Sequence, residues 1–100
     1  MLESRVESYL RKKVKEIGGR CIKLSAEFEG GIPDRMCLFP TGLVIFVEVK
    51  APGEKPRKLQ LVYHRKLRYM GFDVRVIDNH DTIKKFIDEV KEIIARVSSK

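Results

Sequence analysis

Three residues of the sequence could do chemistry together: Asp34, Glu48 and Lys50. The run from Leu43 to Lys50 is mostly β-branched or aromatic and reads as a strand. Alternation puts Val44, Phe46, Glu48 and Lys50 on one face, so two charges close an otherwise apolar central strand. Burying such charges costs several kcal/mol unless they are paired or bound to a metal. The same pattern also fits a strand that emerges into solvent at its C-terminal end. Asp34 bears on the choice. It opens the preceding strand candidate, Pro33 to Phe39, which Pro40-Thr41-Gly42 closes as a turn. A hairpin through that turn runs the two strands antiparallel and sets Asp34 beside Glu48 and Lys50. Two convergent carboxylates suit a hard divalent cation such as Mg2+, which takes oxygen ligands and keeps several waters. A neighbouring ammonium can orient an attacking water and stabilise charge on a phosphate. The set suits metal-assisted hydrolysis of a phosphodiester.

The elements that must position these residues follow from periodicity. Leu2, Val6, Tyr9, Leu10, Val14 and Ile17 have helical spacing, and Gly18-Gly19 stops the helix. Arg20 to Leu24 is a short strand candidate, and residues 25–32, with Gly30-Gly31, read as a loop. After the Leu43 to Lys50 strand, Ala51-Pro52-Gly53-Glu54 breaks the chain. Pro56 suits the first turn of a helix running to Met70, with Leu59, Val62, Tyr63, Leu67 and Met70 as its apolar stripe. Gly71 ends it, Phe72 to Ile77 is a further strand, and Thr82 to Val97 is a helix with Ile83, Phe86, Ile87, Val90, Ile93, Ile94 and Val97 on one face. The order is α-β-β-β-α-β-α. The third strand, the second helix and the fourth strand predict a right-handed crossover, hence a mixed sheet flanked by helices.

The chain has 100 residues, enough for one core and one domain. Hydrophobic residues make up 43% and charged residues 35%, which fits a globular protein rather than a disordered one. No apolar run approaches the length of a membrane span, and the first residues lack the apolar core of a secretory signal. The net charge of +7 is concentrated: residues 50–75 hold eight basic and two acidic side chains. Arg57, Lys58, Arg65 and Arg68 fall within roughly 100° of one another on the second helix, with Lys55 just before them, a face suited to phosphate contacts. A solvated basic helix is the alternative. Cys21 and Cys37 read as small buried hydrophobes in a reducing compartment, and with His64 and His80 they match no zinc spacing.

Pro33-Asp34 and, after thirteen intervening residues, Glu48-Val49-Lys50 resemble the signature of the PD-(D/E)XK nuclease superfamily. The wider context resembles the virus-type replication-repair nuclease (VRR-NUC) domain in its minimal stand-alone form. It comprises Gly31-Ile32-Pro33-Asp34-Arg35, Phe46-Val47-Glu48-Val49-Lys50-Ala51-Pro52-Gly53, Leu59-Gln60, His64, Leu67 and Met70-Gly71-Phe72. The likeness runs from about Glu3 to Asp78. It implies a restriction-endonuclease-like core in which Asp34, Glu48 and the Val49 carbonyl hold the metal and Lys50 is catalytic. It also implies that Gln60 points to the metal site, and it matches Glu3 to an acidic residue facing that site. Helical geometry places Glu3 inside the first helix's apolar stripe, although Lys13 falls there too. His64 reads as a polar flank residue, Tyr63 and Tyr69 as core or rim, and Asp78 as a turn residue.

The resemblance further implies Mg2+, replaceable by Mn2+, branched DNA as partner, a homodimer cutting four-way (Holliday) junctions, and a cytoplasmic setting in a bacterial or phage-infected cell. Two other readings stand beside it: a monomeric nicking or flap nuclease, and a non-catalytic nucleic-acid-binding module of the same fold. The intact Asp34, Glu48 and Lys50 set speaks against the last.

Overall fold

The computed structural model describes residues 2–25 and 30–99, so part of the loop expected over 25–32 lies outside the described residues. The elements are α1 (Glu3–Glu16), β1 (Arg20–Lys23), β2 (Arg35–Leu38), a 3-10 turn (Pro40–Gly42), β3 (Val44–Val49), α2 (Lys58–Tyr69), β4 (Asp73–Ile77) and α3 (His80–Ser98). This is the expected order, with the Pro40 turn forming one helical turn in which Thr41 takes a φ of 72°. Gly18, at φ 82°, ends α1, and its N–H donates to the Lys15 carbonyl.

The four strands lie in the order β1-β2-β3-β4. The first three form an antiparallel meander, and β4 returns parallel to β3 after the α2 crossover. The two faces of β3 do different work. Ile45, Val47 and Val49 face α1 and α3, where Val6, Leu10 and Val14 meet Ile83, Phe86, Ile87 and Val90 to form the core. Phe46 and Glu48 face the opposite way, under α2. His80 stacks on Tyr9 with ring centroids 3.9 Å apart, which ties α3 to α1.

Two helix starts differ from expectation. Asn79 caps α3, its Oδ1 accepting the Thr82 N–H at 2.8 Å, so the helix begins at His80 rather than at Thr82. Pro56 lies ahead of α2 rather than in its first turn. Arg57 remains extended as the cap residue, and its N–H is taken by Gln60 Oε1 at 2.8 Å.

A larger difference lies in the face that α2 buries. The expected stripe is mostly outside: Leu59 and Met70 are about 60% exposed, at 59% and 62%, and Val62 is also exposed. The buried residues are Gln60, His64 and Leu67. The sheet beneath the helix presents a buried carboxylate, Glu48, which must be met by polar groups. The helix is accordingly turned to set its amide and imidazole inward, and the apolar stripe is left facing out.

Gly31 lets the segment before β2 approach that helix. Its φ is 89°, and a Cβ there would lie 2.6 Å from the Leu59 carbonyl oxygen. Gly31→Ala is expected to cost about 2 kcal/mol, from the left-handed backbone and the displaced α2 start. A thermal melt should show a Tm lowered by roughly 10 °C; an unchanged Tm would mean that the approach is not required.

Candidate active site

The site forms where β2 begins and β3 ends. Arg35 pairs with Val47, and continuing that antiparallel register by one residue sets Asp34 opposite Glu48. Asp34 is held there twice. Its carbonyl accepts the Leu24 N–H, and its Oδ2 accepts the Val49 N–H at 2.9 Å. Lys50 follows β3, and its N–H donates to the Ile77 carbonyl at 2.9 Å, extending the sheet past the last strand residue. The strand register and these bonds fix Asp34, Glu48, Val49 and Lys50 relative to one another.

Glu48 is 1% exposed. Its Oε2 accepts from Gln60 Nε2 at 3.0 Å and lies 3.6 Å from Lys50 Nζ. Its Oε1 is buried without a hydrogen-bond partner, with His64 Nε2 3.5 Å away. Burial first, and then a hydrogen bond with the adjoining Asp34 and its charge, push the Glu48 carboxyl up to about 8, against the opposing pull of Lys50. Burial, and then the charge of Arg68, lowers the pKa of His64 and keeps the imidazole neutral. Both its ring nitrogens are buried without a hydrogen-bond partner.

Gln60 is fixed at both ends of its amide. The oxygen takes the Arg57 N–H that opens α2, and the nitrogen donates to Glu48. The sequence-predicted Asp34, Glu48, Val49, Lys50 and Gln60 therefore come together. His64, expected on the flank, is fully buried against Glu48. The available signal was its position one turn after Gln60, on the same helical face.

Glu3 opens α1 in an exposed position and makes no hydrogen bond or ion pair among the described residues. The acid of α1 drawn to this end of the sheet is Glu7, paired with the buried Arg35 next to Asp34. Lys55, Arg57, Lys58, Arg65 and Arg68 are all exposed. Arg68 is also anchored, its guanidinium donating to the Val74 carbonyl at 2.8 Å. Asp78 accepts the Gly53 N–H at 3.1 Å, so it tethers the turn after β3, in keeping with a turn residue.

The donor set fits a hard cation. Glu48 Oε1 is an acceptor with nothing to accept from, beside a second carboxyl whose presence raises its pKa. An ion between the two would relieve both conditions. No group of three or more His, Cys, Asp or Glu with metal-binding geometry occurs among the described residues. Two carboxylates alone suit Mg2+, which commonly completes its shell with water and substrate oxygens.

A mixed sheet that brings Asp34 and a Glu48-x-Lys50 pair to one end, with helices on both faces, is a restriction-endonuclease-like fold of the PD-(D/E)XK kind. A solved structure described as "VRR_NUC domain" matches with a TM-score of 0.81 and 36% identity, covering 86% of this chain and 94% of that one. "Putative nuclease p44" of Acyrthosiphon pisum secondary endosymbiont phage 1 is 43% identical over 79 residues, which span 79% of this chain and 85% of that protein. No protein-family profile matches the chain. The chain belongs to the VRR-NUC family, and with it to the nucleases.

Proposed function

We propose that the chain is a Mg2+-dependent, structure-selective DNA endonuclease that resolves four-way junctions as a homodimer, with Mn2+ able to substitute. The observation that carries the metal-dependent reading is the buried Glu48 carboxyl, which adjoins Asp34 and has one oxygen unpartnered and the other near Lys50. Asp34, Glu48 and the Val49 carbonyl would hold the cation. When bound, it supplies Lewis-acid stabilisation of phosphoryl and leaving oxygens and lowers the pKa of water. Lys50 Nζ, held near Glu48 Oε2, orients the attacking water and faces the charge that develops on the phosphate. Gln60 fixes the plane of the Glu48 carboxylate. His64 closes the inner side of the site as a neutral ring. Lys55, Arg57, Lys58, Arg65 and Arg68 would position DNA through its phosphates without reading sequence. Residues 1–100 would act as one nuclease domain in the cytoplasm of a bacterial or phage-infected cell. Glu3, exposed at the start of α1, is the further acid that the family resemblance would add to the metal site.

The dimer reading rests on symmetry and on one surface. A junction needs two cuts related by approximate two-fold symmetry, and one chain carries one Asp34, Glu48 and Lys50 set. The outward stripe of α2, with Leu59, Val62, Tyr69 and Met70 exposed, is the apolar surface that a second copy would cover. Light scattering, combined with cleavage of four-way, flap and linear DNAs in Mg2+ and then in EDTA, tests both parts. The expected result is a dimer that cuts the junction in preference to linear duplex and stops in EDTA. A monomer that cuts linear duplex equally well would leave the nicking reading in its place, and cleavage that persists in EDTA would end the metal reading.

A further inference from the structure

A second charged surface lies away from the α2 face. Between α1 and the edge strand β1 runs an open cleft of about 730 Å3, lined by Ser8, Arg11, Lys12, Lys15, Gly19, Arg20 and Cys21. Four of these residues are cations and none is an acid. Among the described residues, Lys13 pairs with Glu16, Arg35 with Glu7, Lys50 with Glu48, and Arg75 with Asp73 and Glu89. Arg11, Lys12, Lys15 and Arg20 make no ion pair among the described residues, although all four are exposed. Arg11 and Lys15 are one turn apart on α1, and β1 is the edge of the sheet, so among the described residues one row of its backbone groups has no neighbouring strand.

We propose that this α1–β1 cleft is a second nucleic-acid site, which holds a phosphodiester backbone through Arg11, Lys12, Lys15 and Arg20. The choice of ligand rests on the nuclease reading, whereas the site rests on the cleft. Its position suits the task. Arg35 follows Asp34 directly and is paired with Glu7, and Arg11 lies one turn beyond Glu7 on α1. A strand lying in the cleft thus leads along the helix toward the catalytic end of the sheet. An anionic membrane is the poorer occupant. Binding to a bilayer needs an apolar face beside the charges, and the apolar residues Val6, Leu10 and Val14 of α1 are all buried in the core.

Cys21 offers a readout without any substitution. It is partly exposed in the cleft, and its pKa is lowered by its contact with Cys37, 3.0 Å away, and by the charge of Arg11. Cys37 is buried and serves as the unlabelled control. The rate of Cys21 alkylation by iodoacetamide is measured in EDTA, with saturating junction or duplex DNA and with phosphatidylserine vesicles. The expected result is a severalfold slowing by DNA that high salt reverses. A second measurement compares DNA binding by the parent and by Arg11→Gln/Lys12→Gln/Lys15→Gln/Arg20→Gln. The slope of log K against log salt should fall by about 0.9 for each phosphate that the variant no longer neutralises. Unslowed alkylation at saturating DNA, slowing by vesicles alone, or an unchanged salt slope would overturn the proposal. Both measurements read binding in EDTA, so the two readings fail separately. Protection of Cys21 without cleavage in Mg2+ removes the nuclease reading and keeps the cleft, and cleavage without protection does the reverse.

Discussion

Glu48→Gln should lower DNA cleavage by about three orders of magnitude, the loss seen when one preorganised electrostatic group is removed. It should do so without unfolding the chain. Glu48 is 1% exposed, and glutamine has nearly its shape, so no cavity opens above β3. Gln60 Nε2 retains a carbonyl oxygen to donate to. What goes is the negative charge that two neighbouring groups are arranged around, Lys50 on one oxygen and Asp34 alongside. Asp34→Ala should be as severe for cleavage. Because Asp34 also accepts the Val49 N–H, it should lower stability by about 1 kcal/mol as well. Lys50→Ala should lose cleavage but still bind Mn2+ in a calorimetric titration. Parental cleavage by Glu48→Gln, or absence of Mn2+ binding by Lys50→Ala, would break this division of roles.

The second large effect is on stability and pH. The Glu48 carboxyl rises from an ordinary 4.5 to about 8 in the folded chain, so the metal-free fold binds this proton more tightly than the unfolded chain does. The resulting stabilisation is complete below pH 4.5 and is lost as pH rises through 8. His64 acts the other way: its lowered pKa removes stability as pH falls below its usual 6.5. Glu48 is therefore read cleanly between pH 6.5 and 8, where the metal-free chain should lose about 2 kcal/mol, or roughly 10 °C in Tm. Glu48→Gln should flatten that decline. Since the cation takes the ionised carboxylate, its binding at pH 7 should release about one proton. Calorimetry in buffers of different ionisation enthalpy reads that number directly. A pH-independent melt together with no proton release would show that Glu48 is already ionised without metal.

The order of elements and the Asp34–Glu48–Lys50 cluster could be read from the sequence because local signals agreed with the tertiary arrangement. The Val44–Val49 strand is nearly all β-branched or aromatic, and the Pro40 turn leaves an antiparallel hairpin as the short connection. The orientation of α2 could not be read in this way. Hydrophobic spacing points to Leu59, Val62 and Met70 as the inner face, yet the helix packs on a buried acid and must turn Gln60 and His64 inward. A rule that counts apolar residues has no term for a carboxylate waiting in the sheet. The pairing of Glu7, which falls just outside the apolar stripe of α1, could not be read for a related reason. Its partner Arg35 is distant in sequence, and only the meander that places β2 near α1 brings the two together.

The Gln60 amide narrows what this position can tolerate. One end closes the first turn of α2 and the other meets the acid in β3, so a substitute must offer an acceptor and a donor in opposite directions at the same reach. Glutamate keeps the acceptor but turns a second carboxylate on Glu48. Lysine can donate but leaves the Arg57 N–H without its partner, and asparagine has both groups on a stem too short to span the gap. A random change here therefore strikes folding and chemistry together. A mutational scan would score the position as intolerant on stability alone, and the part proposed for the amide in the site would be concealed within that score.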